Sequence, residues 1–139
     1  MSVYSSCRCK NIEIDSQLTD RSLIPRSCQC SYCVSKGAAY ISKSGSKFSV
    51  KIHNRKLHNT LQHGSRYAIF HECGHCDSLV FVTAEINGDL YGIINSKYVR
   101  SDFPLAESIK TNFEDQAPET KLLRWRQNWC CPVSIAFCD

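Results

Sequence analysis

Tyr67-Ala68-Ile69-Phe70-His71-Glu72-Cys73-Gly74-His75-Cys76-Asp77-Ser78-Leu79-Val80-Phe81-Val82-Thr83-Ala84-Glu85-Ile86 consists of two apolar runs joined at a C-x-x-C. Runs this short, rich in β-branched and aromatic residues, read as strands. Tyr67 to His71 leads straight into Cys73, and Leu79 to Ile86 leads away from Cys76. The two cysteines therefore fall in a tight turn between strands, as in a zinc knuckle. Asn87-Gly88 follows, a two-residue hairpin signal, and Leu90 to Ile94 reads as the next strand.

Working outward, Ala38 to Ser42 and Lys47 to His53 are further strand candidates, joined by the turn signal Ser44-Gly45-Ser46. The second alternates apolar and polar residues, as a half-buried strand does. The character changes after Pro104. Asp115 could cap a helix with Pro118 in its first turn. Leu122, Trp125 and Trp129 recur at i, i+3 and i+7 on one face, which should pack on the sheets as core. Pro132 should end the helix. No internal repeat or low-complexity tract is present. The expectation is one mainly β domain over residues 1–139 with a short C-terminal helix.

Seven of the ten cysteines fall into three clusters: Cys7 and Cys9, then Cys28, Cys30 and Cys33, then Cys73 and Cys76. Short spacings let one turn aim two sulfurs at a point about 2.3 Å from each, the Zn–S distance. A disulfide across one intervening residue is strained, so the pattern favours metal capture. Each outer pair supplies two sulfurs, and a closed structural site needs four. Pairing Cys7 and Cys9 with Cys73 and Cys76 gives one structural zinc, whose binding energy is folding energy. Cys28, Cys30 and Cys33 remain as an incomplete sphere, and catalytic zinc sites keep such an open position. A thiol could enter there and be deprotonated. Alternatively Cys130, Cys131, Cys138 or a histidine closes the site, or the three are free thiols. Cys130 and Cys131 otherwise read as small buried hydrophobes, and Cys138 as frayed.

Seventeen Lys and Arg against thirteen Asp and Glu give a formal charge of +4. Four thiolates on one Zn²⁺ carry a net −2 and three on another a net −1, so filling both sites leaves about +1. Lys43, Lys47, Lys51, Arg55 and Lys56 then read as a solvated hairpin face, and no nucleic-acid partner is expected. No apolar run approaches the ~18 residues of a membrane span, so no membrane partner is expected either. The N-terminus lacks a signal-peptide hydrophobic block, which points to a reducing cytoplasm.

The cysteine order resembles the glutathione-dependent formaldehyde-activating enzyme family, also called the GFA or centromere-protein-V domain. The resemblance runs from about Tyr4 to Val133. It is carried by Cys7-x-Cys9, by Cys28-Gln29-Cys30-Ser31-Tyr32-Cys33 followed by Lys36-Gly37-Ala38-Ala39-Tyr40, and by Phe70-x-x-Cys73-Gly74-x-Cys76 before an apolar strand. The early Gly37, Asp77-Ser78 after Cys76, and the tail Leu123-x-x-Arg126-x-x-Trp129-x-x-Pro132 mark a divergent branch. The resemblance implies a β-tent of several small coiled antiparallel sheets around zinc. It also implies two zincs per chain, a structural one on the outer pairs and a catalytic one on Cys28, Cys30 and Cys33. Its named reaction joins glutathione to formaldehyde, a carbon–sulfur lyase step written in reverse.

The expected function is therefore addition of a small thiol such as glutathione to an aldehyde at the three-cysteine zinc. His53, His58, His63, His71 and His75 are candidate acids for the resulting alkoxide. Arg26, Lys36 and Arg66 could clamp the thiol's carboxylates. Three thiolates blunt zinc's Lewis acidity and suit thiol binding better than water activation. No H-E-x-x-H appears, and no H-x-E precedes a P-C-x-x-C, so protease and deaminase chemistry is disfavoured. The alternatives are a non-catalytic zinc module for a protein partner or ligand carriage, and thiol redox or metal sensing by the trio.

Overall fold

The structure, a computed structural model, describes residues 3–18, 23–62, 67–100, 105–111 and 116–138. In chain order it forms β1 (Val3–Ser6), β2 (Ile12–Ser16), β3 (Arg26–Cys28), α1 (Ser31–Lys36), β4 (Tyr40–Ile41), β5 (Phe48–Ile52), β6 (His58–Leu61) and β7 (Ile69–Cys73). There follow β8 (Ser78–Ile86), β9 (Asp89–Asn95), β10 (Ile109–Thr111), α2 (Pro118–Asn128) and β11 (Val133–Phe137). The strands make two sheets, ordered β1-β2-β5-β11 and β10-β3-β4-β9-β8-β7-β6. The fold is thus mainly β with a short C-terminal helix, as the sequence suggests.

The opening stretch sits at the heart of the larger sheet, with β8 between β7 and β9. Asn87 and Gly88 both have positive φ, 53° and 84°, the mirror-image turn that suits the twist of a hairpin. Across β7 and β8 the register slips: His71 faces Phe81 while Glu72 faces Leu79. Val80 is the extra residue of this bulge, so Val80 and Phe81 both enter the core between the sheets. There they meet Ile12, Ile14, Phe48, Val50 and Ile52 of the smaller sheet. Leu79, Val82, Ala84 and Ile86 point the other way, into a second core under α2. Burial on both faces explains why this strand reads as a nearly unbroken apolar run.

Trp125 of α2 and Trp129 just past its end are both buried in that second core, their rings stacked 4.6 Å apart. Leu122 packs at its edge, so the helical face forms as the spacing predicts. Pro118 opens the helix, and the expected cap, Asp115, lies outside the described residues. The helix stops at Asn128, before Pro132. Trp129 is already extended, and Cys130 exchanges two backbone hydrogen bonds of 2.9 Å with Gly92. No helix among the described residues is long and apolar enough to cross a membrane.

Two sequence expectations change. β4 and β5 do not pair as a hairpin: β4 joins β3 and β9, whereas β5 joins β2 and β11. The Ser44-Gly45-Ser46 turn instead carries the chain from one sheet to the other. Phe48, Val50 and Ile52 need the opposing sheet, so the alternation that marks β5 as half-buried also places it across the core. Lys43, Lys47, Lys51, Arg55 and Lys56 are indeed exposed, but not on a hairpin. In addition, β11 runs parallel to β5 and β10 parallel to β3, while the other pairings are antiparallel.

The two sheets approach closely at Gly92. A Cβ there would lie 2.7 Å from the Phe48 ring, 2.9 Å from a Val133 methyl and 3.0 Å from the Val82 carbonyl. Gly92→Ala is expected to destabilise the fold by about 1–3 kcal/mol, the usual cost of overpacking. A thermal melt unchanged from that of the parent would contradict this close approach.

Candidate metal centres

Two turns build the first centre. After β1 the chain turns back into β2, with the Cys7 amide donating to the Ile12 carbonyl at 3.0 Å and the Lys10 amide to the Cys7 carbonyl at 3.1 Å. The Ile12 amide points at the Cys7 sulfur, 3.3 Å away. Between β7 and β8 the Asp77 amide closes on the Cys73 carbonyl at 2.8 Å. The backbone runs close to β6 at Gly74, where a Cβ would lie 2.8 Å from the Asn59 side-chain nitrogen and 3.3 Å from the Leu57 carbonyl. These turns bring the sulfurs of Cys7, Cys9, Cys73 and Cys76 within 4.8 Å of one another. Cys7 and Cys9 sulfurs are 3.7 Å apart, and those of Cys9 and Cys73 3.6 Å. Four sulfurs in a tetrahedron around Zn²⁺ stand about 3.8 Å apart, given Zn–S near 2.3 Å. The group therefore fits a metal of that size. It also joins the sheets, since β1 and β2 belong to one and β7 and β8 to the other.

Burial pushes the Cys7 thiol up to about 12 and also raises Cys73. Cys76 goes the other way: burial opposes ionisation, but hydrogen bonds from Ser78, the Cys9 backbone and the neighbouring thiols bring it down to about 6. One sulfur is thus ready as a thiolate, and an arriving cation must displace protons from others.

The second centre is built on α1. Cys28 ends β3, Cys30 precedes the helix, and Cys33 lies one turn in. The Cys30 sulfur caps the helix by accepting the Cys33 amide at 3.4 Å. At the other end Gly37, with φ 62°, lets its own amide reach Val34 and the Ala38 amide reach Cys33, a Schellman closure. A glycine directly after this short helix is what fixes the position of Cys33. The three sulfurs lie within 4.8 Å of one another, and no further Cys, His, Asp or Glu among the described residues joins them. Cys28 and Cys30 are partly exposed and Cys33 is buried. Both groups could hold a metal ion.

Contact with the Cys28 sulfur, then burial, raises the Cys33 thiol well above its ordinary value. Cys33 also lies 3.1 Å from the hydroxyl of Tyr40, which is only 5% exposed. Burial, followed by the charge of Cys33, raises Tyr40 too, so its hydroxyl stays protonated. Tyr40 is a site residue that motif reading missed; its nearest signal was the aromatic closing Lys36-Gly37-Ala38-Ala39-Tyr40. Tyr32, between the cysteines, hydrogen-bonds through its hydroxyl to Glu72. Lys36 pairs with Glu72 at 3.3 Å and Asp77 at 3.1 Å, so its charge is committed to the fold. These contacts tie α1 to the turn of the first centre.

The histidines lie elsewhere. His71, 4% exposed, bonds His58 at 2.9 Å and Thr83 at 2.7 Å and stacks on Phe81. Burial pushes it down to about 3, so it stays neutral at physiological pH. His53 pairs with Glu13, and His75 is exposed in the C-x-x-C turn. His63 and Arg66 lie outside the described residues. Cys130 is fully buried in the first core and Cys131 partly so, and neither joins the trio. The Cys138 thiol is exposed, although its amide donates to the Ile52 carbonyl and closes β11.

No model of a known protein family matches the chain, and no curated protein does. A solved structure does. The chain is similar to a Rhodobacter sphaeroides protein whose crystal structure came from structural genomics, with 19% identity and a TM-score of 0.55. The match covers 96% of this chain and 99% of that one. At such identity the likeness speaks for the shared fold alone.

Proposed function

We propose that this chain is a zinc protein whose Cys28, Cys30 and Cys33 centre takes up a small thiol and joins it to an aldehyde, in the manner of a carbon–sulfur lyase. The observation that carries this reading is the contrast between the two groups. Cys7, Cys9, Cys73 and Cys76 bring together four sulfurs, the number a closed zinc site needs, whereas Cys28, Cys30 and Cys33 bring together three, with no fourth Cys, His, Asp or Glu among the described residues. The resemblance to the GFA family, carried by the same cysteines, supports it. Zinc bound by the trio would supply an open coordination position at which an incoming thiol is held as thiolate.

In this reading the S–H proton leaves to solvent and a carbon–sulfur bond forms at the aldehyde carbon. The C=O π pair moves to oxygen, which takes a proton to complete a hemithioacetal. Tyr40 is the protonated group beside the trio, and its hydroxyl can donate a hydrogen bond toward Cys33 or toward that oxygen. Neutral, buried His71 is unsuited to the task.

Elemental analysis and thiol titration test the reading together. The freshly purified protein should carry about two zincs per chain, one removed readily by chelator. Glutathione should bind in calorimetry only while the labile zinc is present. A single tight zinc with no thiol binding would support the non-catalytic module instead. One zinc with a trio that cycles under oxidant would support redox sensing.

A further inference from the structure

α1 has six residues, well short of the ~12–15 at which a helix begins to hold without tertiary support. Its position, and with it that of Cys30 and Cys33, is therefore set by what it touches. Tyr32 and Lys36 are four apart and share one face of the helix. Both reach the same carboxylate. The Tyr32 hydroxyl donates to one oxygen of Glu72, and the Lys36 ammonium donates to the other at 3.3 Å. The Tyr32 ring also meets Phe70 edge-on, with centroids 5.1 Å apart. Lys36 reaches on to Asp77 at 3.1 Å.

The residues gripped in this way are immediate neighbours of the first centre's sulfurs. Glu72 precedes Cys73, and Asp77 follows Cys76. Successive residues of a strand face opposite sides. β7 accordingly sends Cys73 into the core between the sheets, while Phe70 joins the second core and Glu72, two residues on, meets α1. Glu72 is only 8% exposed, and a carboxylate buried to that degree is costly unless it is paired. Tyr32 and Lys36 supply a partner to each of its oxygens, so separating α1 from β7 is unfavourable. With Cys73 and Cys76 drawn onto one metal, the turn between them is fixed, and Glu72 and Asp77 are fixed with it.

We propose that Tyr32, Lys36 and Glu72 are positioning residues that couple the two centres. Filling of the four-cysteine group sets α1 so that Cys30 and Cys33 are placed for the second metal, and filling of the trio in turn steadies residues 73–77. This rests on the labile zinc of the three-cysteine centre in the preceding section. Such coupling is reciprocal by thermodynamic necessity and typically amounts to about 5–150-fold in affinity. Motif reading passes over Glu72, because its partners lie 40 and 36 positions away in the chain.

The test uses the full chain loaded with zinc and reads each zinc by chelator competition. Glu72→Gln removes the charge and keeps the size of the side chain. It should weaken the labile zinc by about fivefold or more, and leave one tight zinc per chain and a cooperative melt. Tyr32→Phe keeps the ring against Phe70 and loses only the hydroxyl; it should act in the same direction, and it carries the test if Glu72→Gln does not fold. Amide hydrogen exchange gives a signature that a merely structural role would not move. Stripping the labile zinc from the parent with a mild chelator should speed exchange in α1 and also at Gly74 and Asp77, whose amides donate to the Leu57 and Cys73 carbonyls. In the variants it should speed exchange in α1 alone. Variants that hold the labile zinc as tightly as the parent overturn the coupling and leave the open centre standing. So does stripping that leaves Gly74 and Asp77 exchange unchanged in the parent. A parent with no second, labile zinc overturns the open centre and the coupling with it.

Discussion

Cys73→Ser is expected to give insoluble protein or protein with no cooperative thermal transition. Cys73 is the last residue of β7, at the turn into β8, and its sulfur is 3.6 Å from that of Cys9, beyond β1 in the other sheet. The metal these sulfurs fit would therefore staple the two sheets together. Binding of a structural zinc is worth about 10–16 kcal/mol at neutral pH. The whole stability of a domain this size is about 5–15 kcal/mol. Loss of one thiolate from the centre can thus remove most or all of the folding free energy. The side-chain change alone is much smaller. Cys73 is fully buried, and placing a hydroxyl there costs about 1–3 kcal/mol. Magnitude separates the two readings: a soluble variant with a cooperative melt only modestly lowered would mean that Cys73 is packing and not a metal ligand. Zinc content of any soluble fraction provides the second readout, and it should fall by at least one per chain.

What the sequence makes legible here is local. The turn around Cys73 and Cys76 and the Asn87-Gly88 hairpin are dictated by residues within a few positions of each other. So is the Trp125–Trp129 face, because stacking at i and i+4 needs only a helix. The cysteine partition is legible for a different reason: tetrahedral valence requires pairs to find pairs, whatever the fold between them. Sheet assignment is not legible in this way. Lys47 to His53 reads as a strand in isolation, but nothing nearby says that Phe48–Ile52 pairs with Ile12–Ser16 and with Val133–Phe137 rather than with its neighbour β4. β3 and β10 are three residues each, too short for any period to register, and they hold each other only through a parallel pairing. Val133–Phe137 follows two cysteines and a proline, a context that suggests an ending, yet it forms an edge of the smaller sheet. The surroundings of the trio share this non-local origin. Tyr40 reaches Cys33 across Gly37, and Glu72 reaches Tyr32 from another strand.

Cys30→Ser should do the reverse of Cys73→Ser: keep the fold and lose the ligand. Cys30 has two separable roles. Its sulfur is one of the three clustered ligands, and it also caps α1 by accepting the Cys33 amide. Serine is among the best residues at that capping position, so the helix start is preserved, whereas alanine there costs about 0.5–2 kcal/mol. Because α1 is anchored at its other end by Gly37 and through Lys36 and Tyr32, the serine variant should melt close to the parent. The hydroxyl is not a thiolate, however, and two sulfurs remain where three stood. Altering a group that merely orients a metal ligand costs about 10–100-fold in affinity, so loss of the ligand itself should exceed that range. Chelator competition should then find the labile zinc gone, and calorimetry should find no glutathione binding. Cys30→Ala separates the roles further, since it loses the ligand and the cap together and should melt lower than the serine variant. A serine variant that still bound glutathione as the parent does would remove Cys30 from the site. Because Cys73→Ser and Cys30→Ser are predicted to fail in opposite ways, the pair also tests whether one group of cysteines holds the fold and the other does the chemistry.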